Sequence, residues 1–331
     1  MNILNMYILL YLSGDNLTLP KAEATGLIES YTENKNFSII YEKDRLYIFS
    51  CEKFPFERMS MAKIMCEFID CGNNTDKIAK NVAARISGTF RVRSYSAGSF
   101  KDATLEQRFG AIIKKHNENL NVKLENYENE VMCMYSEDSY FAGINKDREK
   151  FVRRLPLNRP FNVPITMHPK LARTLVNLAR VKEGSQILDP FCGSGAILIE
   201  AGLMGMKIFG RDINKYMIHG CRKNMDFYGV RYRAENLKDG NALNLRKKNF
   251  FDAIVTDLPY GRSSFTTNKD LRELYEKFIK VAYNSLKEDK FAVIVSKDGI
   301  DYGFYKFRPM EEHFVRVHKG LTRRICVLKK E

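Results

Sequence analysis

The sequence predicts an α/β fold in which an open, mostly parallel sheet carries a crevice at its strand ends, with a smaller α+β region ahead of it. Three stretches predict the sheet. Gln186-Ile-Leu-Asp189-Pro-Phe191-Cys-Gly193-Ser-Gly195-Ala-Ile-Leu-Ile-Glu200 reads as a short buried strand, a glycine turn and a helix starting near Ala196. Lys207–Asn214 reads as a strand closing on Asp212, and Phe251–Arg262 as a strand running into Asp257-Leu258-Pro259-Tyr260. In parallel sheets the carboxyl ends of the strands face one crevice, so all three stretches address the same place.

Each stretch has its own chemistry. Gly193 and Gly195 remove side chains where the backbone bends sharply and a ligand comes close. The following helix directs free N–H groups into the same space. A dinucleotide fingerprint wants a third glycine three residues after Gly195, but Leu198 stands there. Asp189 ends the first strand, and a carboxylate at Asp212 can accept both hydroxyls of a ribose. Alone, the glycine pair marks no more than a tight turn; the ordered set of three carries the inference.

In that order the segments resemble those of class I S-adenosylmethionine-dependent methyltransferases. Asp257-Leu258-Pro259-Tyr260 is similar to the Asp/Asn-Pro-Pro-Tyr signature of enzymes that methylate exocyclic amino nitrogens of bases, with Leu258 replacing a proline. The resemblance implies a seven-stranded Rossmann-like sheet with an antiparallel last strand. It implies S-adenosylmethionine held by Asp189, Phe191, Gly193, Gly195, Asp212, Ile213, Asn241, Ala242 and Asp257, and catalysis by Asp257, Leu258, Pro259 and Tyr260. Asp239-Gly240-Asn241-Ala242 stands where the family often has Gly-Asp-Ala, so the adenine contact falls to Asn241 or to Asp239.

Along the chain, residues 1–56 alternate strand and helix signals, with strands at 7–12, 37–41 and 45–50. A helix is expected over 20–31, with Thr18 as candidate cap and Pro20 in its first turn. Residues 57–145 read as a second α+β unit. A helix behind Thr75 carries Ile78, Ala79, Val82, Ala83 and Ile86 on one face. Thr89-Phe-Arg91-Val-Arg93 is a strand with both arginines on one side, and Thr104-Leu-Glu-Gln107 opens a helix as a capping box. Strands near 122–124, 131–135 and 140–144 complete this unit. Helix, arginine strand, helix and strands ahead of a methyltransferase resemble the THUMP domain of RNA-modifying enzymes. That resemblance makes Arg91 and Arg93 phosphate contacts; as residues alone, each reads almost as readily as a solvated strand position.

Residues 146–164 form a basic, proline-rich linker, where Arg153 and Arg154 suit a nucleic-acid backbone. The domain over 165–331 follows. Its expected elements are a helix over 170–181, a helix over 215–228, a helix from about 268 to 286, a strand over 291–296, and a closing hairpin around Gly320. His168 is read as a site residue or a cap. Arg262, just after the tetrapeptide, joins the RNA-facing set.

Composition supports this picture. The 331 residues suffice for two domains, and the formal charge of +14 points to a polyanionic partner. No run of about 18 apolar residues is present, so no membrane span is expected. The seven cysteines are odd in number and dispersed, with no Cys-x-x-Cys pair, which predicts reduced thiols in a cytoplasmic protein and no metal site.

Together the THUMP-like module, the tetrapeptide and the length resemble archaeal tRNA guanine-10 N2-methyltransferases, which make mono- and dimethylguanosine. The expected partner is therefore tRNA. A guanosine-6 tRNA enzyme or a ribosomal RNA guanine enzyme would share these features. So would a catalytically silent RNA-binding scaffold, or a relative that needs a small activating subunit. The sequence leaves oligomeric state open.

Overall fold

The computed structural model describes residues 5–14, 17–32, 37–96, 103–136, 138–146, 150–164, 166–260, 268–297, 299, 305–318 and 320–331. The chain forms two compact units: Met1–Leu17, Thr32–Glu57 and Ala62–Arg148 make the first, and Thr18–Tyr31, Arg58–Met61 and Glu149–Glu331 the second.

In chain order the elements begin with β1 (Met6–Leu12), α1 (Thr18–Tyr31), β2 (Phe37–Lys43), β3 (Leu46–Cys51), β4 (Ala62–Gly72) and α2 (Thr75–Ala83). There follow β5 (Thr89–Ser96), α3 (Leu105–His116), β6 (Asn121–Val122), β7 (Asn129–Ser136) and β8 (Ser139–Asn145). The eight strands form one sheet in the order β2-β3-β1-β4-β8-β7-β5-β6. Sequence periodicity divides residues 1–56 from 57–145, but β1 pairs with β4 through Leu9↔Cys66 and Leu10↔Met65, so the two stretches share a single sheet. Residue patterning reads each strand's buried face and is blind to which strand lies beside it. The amphipathic helix α2 is capped by Asn74, whose side chain accepts from Lys77 N, and not by Thr75. At α3, Thr104 makes no side-chain cap hydrogen bond, so the expected capping box with Gln107 is not closed, and Glu106 of the first turn accepts from Ser94 N and Oγ.

The second unit holds α4 (Pro169–Leu178), β9 (Gln186–Asp189), α5 (Ala196–Leu203), β10 (Lys207–Asp212), α6 (Lys215–Phe227), β11 (Leu237–Asp239) and β12 (Phe251–Asp257). It continues through α7 (Asn268–Ser285), β13 (Leu286–Ser296), β14 (Phe307–His318) and β15 (Leu321–Lys330). The strand order is β11-β10-β9-β12-β13-β15-β14, parallel up to β13 and antiparallel in the final pair, as expected for a doubly wound methyltransferase sheet. Both faces are buried. Ala253 and Val255 of β12 pack into the layer with Leu175, Ile197 and Ile218, and Ile254 into the layer with Phe278 and Ile279.

Helix α1 precedes β2 in the chain yet belongs to this second unit. Its Glu23 is fully buried and accepts hydrogen bonds from Ser60 N (3.1 Å), Ser60 Oγ (2.6 Å), Met61 N (2.8 Å) and Asn177 Nδ2 (2.8 Å). Arg58 donates to Asn177 Oδ1 (3.0 Å) and to the Val181 carbonyl (2.7 Å). A buried carboxyl survives only when its lone pairs are met, and four donors meet these.

Candidate active site

The three sequence-identified loops converge. Cys192 N donates to the Arg211 carbonyl (2.8 Å), and Gly193 N donates to Asp212 Oδ2 (2.9 Å), so the turn after β9 is tied to the end of β10. Gly240 N donates to the Asp212 carbonyl (2.9 Å), which brings the end of β11 to the same place. Thr256 Oγ1 donates to Asp189 Oδ1 (2.7 Å), joining β12 to β9.

The glycines are explained by space. Gly195 caps α5 at φ 88°, a left-handed conformation, and a Cβ there would stand 2.6 Å from Cys221 Sγ of α6. Gly193 has φ 49°, and a Cβ built on it would meet nothing within 4 Å, so the turn borders open space on its outer side. Beside it Ile213 is 72% exposed, an apolar side chain at the rim of a polar crevice. Phe191 is half-buried with its ring edge-on to Phe278, and Ala242 is buried. Asn241 caps the turn after β11, its Oδ1 accepting from Leu243 N (2.9 Å); Asp239 is exposed and pairs in register with Asp212.

Three carboxylates therefore share the crevice. Asp212 is fixed by Gly193 N on one oxygen and Asn214 N on the other, at 2.9 Å each. Asp189 is 2% exposed and accepts from Thr256 Oγ1 and Phe191 N. Burial, with the Asp257 and Asp212 charges adding to it, pushes its carboxyl up to about 7. Asp257 is raised by burial, against which the Arg323 guanidinium and the Tyr260 hydroxyl pull it down.

The tetrapeptide is held from three sides. Leu258 is buried and its N–H donates to the Val295 carbonyl (2.9 Å). The Pro259 carbonyl accepts from the Tyr275 hydroxyl of α7 (2.7 Å). Tyr260 donates its hydroxyl to Asp257 Oδ1, and Arg323 of β15 donates Nη2 to Asp257 Oδ2 and Nε to the Tyr260 oxygen, both at 3.2 Å. Arg323 is the residue that sequence reasoning missed. Its β-strand shows only an arginine in a basic hairpin, and no motif spacing ties it to a turn 66 positions away.

The RNA-facing candidates divide. Arg93 is exposed, with a loose 3.7 Å approach to Glu106. Arg91 is held by Glu130 and lies 4.1 Å from the Tyr127 ring centroid, so much of its charge is already answered. Arg153 is exposed. Arg154 is a correction: it is buried, and its Nε and Nη2 bind the fully buried Glu200 at 2.7 and 3.3 Å, while Arg173 binds the same carboxylate at 2.9 Å. A guanidinium so engaged is unavailable to a phosphate. The linker reading changes with it. Phe151, Arg154 and Arg159 are buried, and Phe161 N donates to Asn224 Oδ1 (2.9 Å), so the stretch from 150 onward is part of the second unit. His168 is the N-cap of α4, its Nδ1 accepting from Lys170 N (3.2 Å). Arg262 lies outside the described residues.

Comparison with known proteins agrees with this architecture. A family model described as an RMKL-like methyltransferase domain matches residues 156–325, and one described as a DNA methylase matches residues 27–223. The chain is 34% identical over 343 residues to the tRNA (guanine(10)-N2)-dimethyltransferase of Methanothermobacter thermautotrophicus, covering 98% of this chain and all of that protein. The chain belongs to the tRNA (guanine(10)-N2)-dimethyltransferase family. A second member of the family, from Pyrococcus abyssi, is 33% identical over 293 residues, or 83% of this chain and 85% of that protein. Among solved structures, TrmN from Thermus thermophilus has the same fold, with a TM-score of 0.53 and 19% identity over 98% of this chain and all of that one. Among the described residues there is no group of three or more His, Cys, Asp or Glu placed to hold a metal, and no helix long and apolar enough to cross a membrane.

Proposed function

We infer that this protein transfers methyl groups from S-adenosylmethionine to the exocyclic N2 of guanosine 10 in tRNA, giving N2-methyl- and N2,N2-dimethylguanosine. The observation that carries the reading is the convergence of the Asp257 turn with the crevice bounded by Gly193 and Asp212, in a chain of this family.

The residues present fit the cofactor. The open side of Gly193 admits a ligand against the backbone, Asp212 has carboxylate lone pairs for ribose hydroxyls, and Ile213 offers an apolar face for adenine. Asn241, whose carbonyl is engaged with Leu243 N, keeps its amide donor for a ring nitrogen, and Asp239 can accept from the adenine amine. When bound, S-adenosylmethionine supplies a methyl already activated on a sulfonium.

The protein's task is alignment and proton removal. A guanine amine is a poor nucleophile because its lone pair is delocalised into the ring. Acceptors on its N–H groups localise that pair, and the Asp257 carboxylate takes the proton as the N–C bond forms. The Leu258 carbonyl is the second acceptor. Pro259, anchored through its carbonyl by Tyr275, keeps both in place with little reorganisation. Tyr260 supplies the flat aromatic face on which an extruded base stacks. Of the described arginine candidates, Arg93 and Arg153 are exposed and take the tRNA backbone, and the first unit takes the THUMP-like part of gripping it. The dispersed, unpaired cysteines suit a reducing cytoplasm.

Incubating the protein with unmodified tRNA transcript and labelled cofactor, then mapping the nucleoside, tests this directly. Label is expected in N2-methylguanosine at position 10. Label at position 6, at N6 of adenosine, or on ribose would overturn the substrate. Asp257→Ala is expected to abolish turnover and leave cofactor affinity within a few-fold; loss of both would make Asp257 structural.

A further inference from the structure

Strand register explains how a distant arginine reaches the tetrapeptide. Asp257 is paired with Val295 of β13, and Val295 with Ile325 of β15, so Arg323 lies two residues further toward the carboxyl end of the parallel strands. Because side chains alternate, Asp257 follows Val255 and Arg323 precedes Ile325 on one face, and Val255, Val295 and Ile325 all pack in the same core layer. The Arg323 side chain is only 7% exposed, and its guanidinium is directed at the Asp257–Tyr260 turn. Its fork spans two acceptors, Asp257 Oδ2 and the Tyr260 oxygen, at 3.2 Å each, while Tyr260 closes the triangle by donating to Asp257 Oδ1.

We propose that Arg323 is a positioning residue for methyl transfer: it occupies Oδ2 of Asp257 and holds the carboxylate charged, so that Oδ1 alone addresses the amine once the Tyr260 hydroxyl has left it. This rests on the reading of Asp257 as the proton acceptor. Tyr260 then has two positions, bonded to Oδ1 without substrate and turned to the base with it. In the transfer itself the N–C bond forms as the C–S bond breaks, the sulfonium becomes a thioether, and the amine proton passes to Oδ1.

An acceptor must be ionised to work. Burial raises the Asp257 carboxyl, and Arg323 opposes that rise. Among the described residues, the charged and titratable groups facing Asp257 are Arg323 from β15, Tyr260 from its own turn and Asp189 from β9; Asp212 on β10 acts in turn on Asp189. Arg323 is the one cation in this set, which is otherwise acidic or phenolic. Arginine suits the position because its planar fork reaches both partners at once, which an ammonium does not.

The test is the pH profile of kcat for the full chain on unmodified tRNA transcript at saturating cofactor. Arg323→Gln is expected to move the acid limb upward by at least one pH unit, a tenfold loss on that limb that alkaline pH largely recovers. Arg323→Lys, which keeps the charge and loses the fork, is expected to leave the limb in place and lower kcat about tenfold. Affinity for S-adenosylhomocysteine, measured by calorimetry, should stay within about twofold in both. An acid limb in Arg323→Gln that coincides with the wild type overturns the proposal whatever the fall in kcat; if that variant does not fold, wild-type kcat in Arg323→Lys overturns it. Failure of the underlying reading looks different: the wild type would leave guanosine N2 unmethylated, or Asp257→Ala would still turn over.

Discussion

Asp189 gives the sharpest physical test of the crevice, because its burial has a sign and a size. The carboxyl sits 2% exposed with a folded-state pKa of about 7, against 3.8 for the free side chain. The folded chain therefore keeps a proton that the unfolded chain gives up. Below about pH 4 both states hold the proton and the group is neutral to stability. Between about pH 4 and 7 the unfolded chain ionises first, so folded stability falls as pH rises, and above about 7 the loss is complete. A gap of about three pH units corresponds to about 4 kcal/mol. Asp189→Asn keeps the carbonyl that accepts from Thr256 Oγ1 and Phe191 N and removes the charge. The variant should match the wild type near pH 4 and exceed it by up to about 4 kcal/mol near pH 8. Urea unfolding followed by circular dichroism across that range at constant ionic strength measures the difference. A gap that does not vary with pH, or a variant less stable than the wild type at pH 8, refutes the reasoning. Cofactor binding supplies a linked check. Because Asp257 and Asp212 add to the rise at Asp189, a sulfonium in the crevice lowers it again. Binding of S-adenosylmethionine near pH 7 should then release more protons than binding of the uncharged thioether product, which calorimetry in two buffers detects.

Two further outcomes follow from packing and charge. Gly195→Ala should lower S-adenosylhomocysteine affinity at least tenfold and lower Tm. The new Cβ is strained by about 1–2 kcal/mol at a positive φ and stands 2.6 Å from Cys221 Sγ. Adding Cys221→Ala should restore part of both, and an additive loss in the double variant would show that this contact is not the cause. For RNA, Arg93→Ala and Arg153→Ala should each make the salt dependence of tRNA binding shallower by about one in logarithmic slope. Arg154→Ala should leave the slope unchanged and cost about 3–5 kcal/mol of stability by unbalancing the buried Glu200 cluster, read as a fall in Tm. The reverse pattern would put Arg154 at the RNA and Arg153 away from it.

What the sequence disclosed and what it withheld follow from how far each interaction reaches along the chain. The glycine turn, Asp212 and the Asp257 turn are local: strand, bend and acid lie within a dozen residues, and the buried apolar stretches of β9 and β12 mark their positions. β9, β10 and β12 were therefore legible, and with them the crevice. Sheet neighbours were not. β1 and β4 are separated by a helix and two strands, and nothing in either strand's alternation names the other. The same limit explains α1, whose helical signal was legible but whose destination is set by Glu23 finding donors at Ser60, Met61 and Asn177. Charge is the hardest to read, because an arginine's role depends on whether a carboxylate awaits it. Arg153 and Arg154 are adjacent and look alike in sequence, yet one is exposed and the other meets Glu200, 46 positions on. Arg323 meets Asp257, 66 positions earlier. In both cases the deciding partner is an acid withdrawn from solvent that already belonged to a recognisable motif, the fully buried Glu200 within the glycine-turn helix and the part-buried Asp257 opening the tetrapeptide. A motif acid withdrawn from solvent must be answered by a donor or a cation, so the fold has to bring one from elsewhere. That demand is what selects Arg323, out of a hairpin rich in basic residues, as the one that bears on the chemistry.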